Sequence, residues 1–409
     1  MNILFLCDEY PPGKHGGIGT AVQSLACELA ASGHSVIVAG FYDDSYGGAD
    51  HFIDKGVQVY RFKRKNKIPF AKFEMIGKAI NKFCTISGIW DLEIKRSLSK
   101  YHVFLEGLIQ RYKIEIVERP DFNDYIRFCK KKRVLGKLSV PVIVKLHGSM
   151  TYFAEEAGKE IKPFIKETER WYLNEADAIS SVSNYTAVKT KRYFGMERPI
   201  EILYNGIEPQ PQIGTNHYKE PGSVIFTGAL SEKKGIFQLM HAWNIVAQRI
   251  PNARLSVFGK GDIRKAASLL SVEALQTVKF IGHVSRSELF ENMQLTEVAV
   301  FPSYAECFAL APMEAMINMA TVIYTTRSSG PELITDGLDG LLIDPDNIRE
   351  MADAIIYLLE HEPERKRIAF NAKRRIEEAF LIHKVSEKNL DFYKKVLHKN
   401  NRSNCHKSK

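Results

Sequence analysis

The 409-residue chain has no run of 18 apolar residues, so no part of it reads as a membrane span. Its six cysteines, Cys7, Cys27, Cys84, Cys129, Cys307 and Cys405, form no C-x-x-C pair and show no zinc-ligand spacing. They read as reduced thiols in a reducing compartment, which sets aside a disulfide scaffold and a zinc module. Tandem repeats and low-complexity tracts are absent too, so neither a solenoid nor a disordered array is expected. The opening apolar run, Asn2 to Cys7, stops at Asp8 and Glu9. That is too short for a secretory leader and suits a buried first strand. The expectation is a cytoplasmic protein, peripheral at most to the inner face of the plasma membrane.

Hydrophobic residues make up 45% of the chain and charged residues 26%, the mix of a globular protein able to bury large cores. The length points to two or three domains. Net charge is +9, and residues 61–100 alone hold eleven Lys or Arg against three Asp or Glu. The tail Lys394–Lys409 is basic as well. Such an excess suits anionic partners. No nucleic-acid recognition motif accompanies it, so nucleic acid is not expected among them.

Short apolar runs alternate with helical spacing along the chain. Ile3–Cys7, a Gly- and Pro-rich loop, an amphipathic stretch at Thr20–Ser32 and the run Ser35–Ala39 form a βαβ unit, so a parallel sheet is expected. Further strands are expected at Ile114–Val117, Val142–Leu146, Ala178–Val182 and Ile202–Tyr204. A second series runs Val224–Thr227, Leu255–Phe258, Val278–Ile281, Val298–Phe301 and Val322–Tyr324. Between the two series, residues 208–221 are polar and carry three prolines, which marks a linker. The expected layout is an α/β protein of two Rossmann-like doubly wound domains facing a central cleft. Residues 1–207 and 222–380 form the domains, and 381–409 is a helix and basic tail that packs back on the first domain. Ligands of such sheets bind at the carboxyl ends of the strands, so the loops there hold the candidate site.

Four of those loops carry chemistry. Gly16-Gly17-Ile18-Gly19 follows the first strand, where glycine lets backbone approach a phosphate or sugar. It is incomplete as a dinucleotide fingerprint, because Val22 stands where the third glycine belongs. Lys145-Leu146-His147-Gly148 ends another strand. A histidine there suits a sugar hydroxyl or proton transfer, the plainer alternative being a structural histidine that holds the loop. Lys233-Lys234-Gly235 closes the loop after the second domain's first strand, where a cation neutralises a diphosphate. Glu306 and Glu314, eight residues apart, flank a helix start placed near Phe308. Free amides at the helix start meet a pyrophosphate, and a carboxylate accepts two hydroxyl protons of a sugar diol. Two surface carboxylates favoured by the helix dipole are the plainer reading of that pair.

Taken together and in order, these pieces resemble the retaining glycosyltransferase family 4, of the GT-B fold. The matching segments are Gly16-Gly17, His147-Gly148, Ser181-Val182-Ser183, Tyr204-Asn205-Gly206-Ile207, Lys234-Gly235, Phe258-Gly259-Lys260-Gly261, Phe280-Ile281-Gly282-His283-Val284, Pro302-Ser303, the E-x7-E pair and Asp336-Gly337-Leu338-Asp339-Gly340. The resemblance implies a transferase that moves a hexose from a nucleoside-diphosphate sugar to an acceptor hydroxyl with retention, in cell-envelope polysaccharide assembly. It implies donor binding by Gly17, Lys234, Val284, Glu306, Phe308, Ala309, Leu310 and Glu314. Lys234 lies on the diphosphate, Glu306 on the transferred sugar, Glu314 on the ribose, and the amides of 308–310 over the phosphates. Gly16 and His147 face the acceptor, and Lys234, Glu306 and His147 carry the chemistry. No metal or resident cofactor is implied; the nucleotide sugar is a co-substrate. One departure stands out, because the family's arginine after the loop glycine is Ala229 here.

Residues 61–84 combine a basic flank, Arg61-Phe62-Lys63-Arg64-Lys65, with the stripe Phe70, Phe73, Ile76, Ile80 and Phe83, and with Lys72, Lys78 and Lys82 beside it. This suits a peripheral contact with an anionic membrane and a lipid-linked acceptor, or else an ordinary amphipathic helix packed on the sheet. Two other functions stay open. One is a non-catalytic nucleotide-sugar binder, motivated by Ala229. The other is a nicotinamide-dependent oxidoreductase with Asp43 or Asp44 on the ribose.

Overall fold

The computed structural model describes residues 1–44, 46, 48–64, 83, 84, 86–209 and 219–407. The chain divides into two compact units, Met1–Tyr204 with His383–Lys409, and Asn205–Ile382. Each is a parallel-sheet α/β domain.

Among the described residues the first unit holds eight strands: β1 (Asn2–Leu6), β2 (Ser35–Asp43), β3 (His51–Asp54), β4 (Val57–Arg64), β5 (Ile116–Pro120), β6 (Val142–Leu146), β7 (Ala178–Ser181) and β8 (Glu201–Ile202). Their order is β3-β4-β2-β1-β5-β6-β7-β8. Central strands of such a sheet are covered on both faces and therefore read as unbroken apolar runs. Ile3, Leu4, Val36, Ile37, Val38 and Ala39 are accordingly buried. The helix Gly17–Ala31 buries Val22, Leu25, Ala26 and Leu29, one stripe at helical spacing. The helix Ile89–Tyr112 does the same with Ile94, Leu98, Leu105 and Leu108.

Two strands here had no sequence signal. β3 and β4 pair antiparallel across a two-residue turn, with Asp54 opposite Val57. Lys55 and Gly56 both take positive φ (47° and 89°), the geometry that matches the twist of a hairpin. The polar alternation Val57-Gln58-Val59-Tyr60-Arg61 hides an edge ribbon inside a basic tract. This corrects the reading of Arg61 and Arg64 as an exposed basic flank. Arg61 is 3% exposed, donates to the Tyr10 carbonyl (3.2 Å) and lies 4.7 Å from the Phe52 ring centroid. Arg64 is buried against Asp43 at 2.6 Å. The remaining stripe, Phe70, Phe73, Ile76 and Ile80, with Lys72, Lys78 and Lys82, lies outside the described residues.

Among its described residues the second unit has six parallel strands: β9 (Ser223–Thr227), β10 (Arg254–Phe258), β11 (Val278–Gly282), β12 (Val298–Phe301), β13 (Thr321–Thr325) and β14 (Leu341–Ile343), ordered β11-β10-β9-β12-β13-β14. The order reverses between β9 and β12, so the loops after those two strands border the crevice at which doubly wound sheets bind ligands. The helix Ile236–Arg249 packs Leu239, Met240, Trp243 and Val246 into the core, and the Trp243 indole donates to Thr277 Oγ1 at 2.8 Å. Of the polar stretch 208–221, residues 210–218 lie outside the described residues.

The last helix, Ile382–Lys407, lies almost wholly in the first unit. Buried polar contacts attach it to that sheet. Lys145 donates to Asn389 Oδ1 at 2.9 Å, and the Tyr393 hydroxyl donates to Glu118 Oε2 at 2.7 Å. Among the described residues no helix is long and apolar enough to cross a membrane. Among the described residues Cys7, Cys27, Cys84, Cys129 and Cys307 are buried and form no disulfide.

Candidate active site

In the second unit the loop after β9 runs through Gly228 and Ala229 to the short turn Glu232–Lys234, and then enters the helix Ile236–Arg249 at Gly235. Gly235 has φ +68°, and a Cβ there would lie 1.8 Å from the Pro302 carbonyl oxygen. Only glycine allows the loops after β9 and β12 to close on each other in this way. The Tyr304 amide seals the contact by donating to the Lys233 carbonyl at 2.8 Å. The next loop packs as tightly, since a Cβ on Gly259 would meet the Gly228 carbonyl at 1.8 Å.

This closure brings Lys234 to Glu306. The Lys234 ammonium donates to Glu306 Oε1 in an ion pair between a partly exposed lysine and a buried carboxylate. Burial pushes the Glu306 carboxyl upward, but the charges of Lys234 and Lys233 and hydrogen bonds from Lys234 and Ser303 outweigh it. The net result is a carboxylate held below its usual range, hence ionised. The Lys233 ammonium is pushed down by burial, with the charge of Glu306 opposing.

The helix expected near Phe308 starts at Leu310 and runs to Ile317. Its Ala309 cap is extended and supplies no side-chain hydrogen bond. Leu310 and Ala309 are half-buried, while the Phe308 side chain is buried against Phe380 at 5.5 Å. Asn205 Nδ2 donates to the Phe308 carbonyl at 2.9 Å and holds the approach to the helix. Glu306 thus stands four residues before the helix start and Glu314 four residues after it. Glu314 is buried, and burial raises its carboxyl, an effect opposed by Arg286. Arg286 Nη2 donates to Glu314 Oε1 at 3.1 Å. Val284, two residues before Arg286, is half-buried in the loop after β11.

In the first unit Gly16 and Gly17 are exposed at the start of the helix Gly17–Ala31, again without a side-chain cap. A Cβ on Gly17 would meet nothing within 4 Å, so the space above it is open. Gly19, by contrast, is required by packing, because a Cβ there would lie 2.0 Å from the Glu9 carbonyl. His147 is 9% exposed. Burial, and then the charge of Lys145, lowers its imidazole to about 3, so the ring is neutral at physiological pH. Its backbone N–H donates to Asp121 Oδ1 at 2.8 Å.

Sequence reasoning missed Asp121 and Arg286. Asp121 sits just after β5; burial raises its carboxyl to about 7, and its Oδ2 is buried without a hydrogen-bond partner among the described residues. Its position after a strand was the available signal. Arg286 belongs to no quoted motif, and only the packing of the helix Arg286–Leu295 beside Leu310–Ile317 brings it to Glu314. Ser183, one of the motif residues, is structural: it caps the helix Asn184–Phe194 by accepting from the Thr186 amide at 3.1 Å. Among the described residues no group of three or more His, Cys, Asp or Glu is arranged to hold a metal ion.

Comparison with known proteins adds lineage to this geometry. Residues 15–211 match the family model described as Glycosyltransferase Family 4, and residues 212–375 match the one described as Glycosyl transferases group 1. A glycogen synthase of Mycobacterium tuberculosis is 22% identical over 400 residues, covering 93% of this chain and 91% of that protein. Among solved structures, a sucrose-phosphate synthase from Thermosynechococcus elongatus aligns with TM-score 0.71 at 17% identity, over 97% of this chain and 99% of that one. HepE of Anabaena, solved in complex with UDP-glucose, aligns with TM-score 0.65 at 16% identity, over 97% and 100%.

Proposed function

The chain belongs to glycosyltransferase family 4, of the GT-B fold, and from that premise we propose that it moves a hexose from a nucleoside-diphosphate sugar to an acceptor hydroxyl with retention of configuration. The observation that carries the reading is the Lys234–Glu306 ion pair beside an uncapped helix start whose next turn bears Glu314. A diphosphate between a cation and free amides is stabilised as its charge grows. Glu306, ionised, accepts hydroxyl protons of the hexose, and Glu314 those of the ribose. In the first unit, Gly17 leaves its backbone open to an anion. The UDP-glucose held by the Anabaena relative supports a donor of this class.

In the step itself the C1–oxygen bond to the diphosphate breaks while the acceptor oxygen bonds to C1 on the same face. The acceptor's proton passes to the leaving phosphate oxygen. The reading uses no enzyme nucleophile and no metal, and assigns charge compensation to Lys234 and the amides of residues 308–310. His147, neutral, acts as a hydrogen-bond partner for sugar or acceptor hydroxyls rather than as an acid. The acceptor, taken by the first unit around Gly16 and His147, is a saccharide or its lipid-linked form, in cell-envelope polysaccharide assembly. Phe83, Ile86, Ile89 and Leu92 are all exposed, with Lys95, Arg96 and Lys100 exposed further along the chain. That patch supports a peripheral contact with an anionic membrane.

Family membership removes the nicotinamide reading. A binder without transfer activity remains as the second reading, favoured by the uncharged, exposed Ala229. The test is a thermal-shift screen against nucleotide sugars, UDP-glucose first, followed by NMR of the product's anomeric proton. A donor that raises the melting point and a product of unchanged anomeric configuration are expected. An inverted product refutes retention, and a bound donor that is never transferred or hydrolysed favours the binder.

A further inference from the structure

The loop after β9 carries an exposed Ala229 and therefore offers the donor no guanidinium. Its cation, Lys234, is already engaged by Glu306. Another guanidinium lies on the same edge of the sheet, in the loop after β11. Arg286 begins the helix Arg286–Leu295, whose cap Ser285 accepts from the Glu288 amide at 3.3 Å. Its guanidinium carbon lies 5.0 Å from the Phe290 ring centroid, and Nη2 holds Glu314 Oε1 at 3.1 Å.

The pair is uneven. The Glu314 side chain is 10% exposed and that of Arg286 38%, so the carboxylate is covered while the cation reaches the opening. Glu314 follows the first helical residue, Leu310, by four positions, a rise of about 6 Å, and its side chain leans back toward the helix start. The guanidinium on Glu314 therefore sits about one helical turn from the free amides at Leu310. Among the described residues Glu314 Oε2 receives no hydrogen bond. A sugar diol can bind Oε2 without expelling Arg286 from Oε1. A planar guanidinium, with five N–H donors, can keep one edge on the carboxylate and turn the other to a phosphate.

We propose that Arg286 is a donor-site residue: its guanidinium, held on Glu314 in the free protein, takes a phosphate oxygen of the bound nucleotide and supplies the cation that Ala229 does not. The inference rests on the reading of Glu314 as the ribose carboxylate. It makes the loop after β11, rather than the loop after β9, the source of the arginine on the diphosphate.

Calorimetric titration with UDP, GDP and ADP, each beside its own nucleoside, tests this on the full chain. Arg286→Gln keeps a donor for Glu314, so the buried carboxylate stays partnered. For whichever diphosphate binds the wild type, this variant raises Kd by about tenfold to a hundredfold, the size of a charge-assisted hydrogen bond, while the nucleoside Kd stays within about twofold. Arg286→Lys retains most of the diphosphate affinity, and Ala229→Arg added to Arg286→Gln restores it. Equal losses for nucleoside and diphosphate overturn the proposal, because Arg286 then acts only through Glu314. Unchanged diphosphate binding in Arg286→Gln overturns it while leaving the donor site standing. A wild type that binds none of the three diphosphates sinks the donor reading and this inference with it.

Discussion

Replacing Lys234 with alanine separates what the lysine does for the fold from what it does for the reaction. The Lys234 side chain is 29% exposed and that of Glu306 10%, so the pair lies between the buried and the surface case. Removing one partner costs about 3–5 kcal/mol in the first case and about 0–1 in the second. Lys233 still faces Glu306 in the variant. A loss of about 1–2 kcal/mol follows, or roughly 2–8 °C in Tm for a domain of this size. Transfer is expected to fall by about 10²–10³, the effect of removing one charge-stabilising donor from a developing anion. A coupled assay of nucleotide release gives turnover, and calorimetry gives Tm. Adding Glu306→Gln removes the stranded carboxylate, so the double variant recovers stability but not turnover. The pH dependence carries a sign. The folded Glu306 carboxyl lies below its ordinary range, so its stabilisation is full above the unfolded value, about 4.3, and fades as pH falls through the folded one. The stability gap between wild type and Lys234→Ala is thus widest at pH 6–8 and closes on acidification. Turnover of Lys234→Ala within about threefold of wild type refutes the assigned role, since a charge-stabilising donor costs far more.

Three further outcomes follow from single features. His147 is lowered to about 3, so the folded protein favours the neutral ring; stability linked to it is present above the unfolded value, about 6.5, and declines from there toward pH 3. His147→Asn is expected to flatten the Tm-against-pH curve over that window, and an unchanged slope counts against a buried neutral imidazole. Gly235→Ala places a Cβ 1.8 Å from the Pro302 carbonyl at positive φ, and is expected to cost more than about 2 kcal/mol in urea unfolding. A tolerated alanine would mean the two loops are not closed as described. The wild type is expected to float with anionic vesicles at low salt, and Ile86→Ser with Leu92→Ser to reduce that flotation. Failure of the wild type to float removes the membrane contact.

The strands were legible where both faces are covered, because a buried parallel strand leaves an unbroken apolar run. Val298–Phe301 was placed by that signal and matches β12 residue for residue. The hairpin β3–β4 was not legible, since half of each strand is polar and its turn, Lys55-Gly56, lies close to a tract dominated by charge. The same masking misplaced Arg61 and Arg64. A long cation reads as exposed from sequence, yet these two are buried against a carbonyl, rings and a carboxylate brought from other parts of the chain.

By itself the sequence determined the class of the fold and the family, because periodicity and ordered short motifs are local properties of the chain. It also named Lys234, Glu306 and Glu314, since each lies in a loop or helix start whose position after a strand is readable. Tertiary structure alone decided what each of them touches. Lys234 and Glu306 are 72 residues apart and meet only because β9 and β12 are neighbours in the sheet. Arg286 reaches Glu314 through the packing of two helices that the sequence lists separately. Surroundings set the charge states in the same way: the charges of Lys234 and Lys233 hold Glu306 ionised against its burial, while burial keeps His147 neutral. Those quantities depend on which distant groups surround a side chain and on the water they exclude, and no local pattern records either.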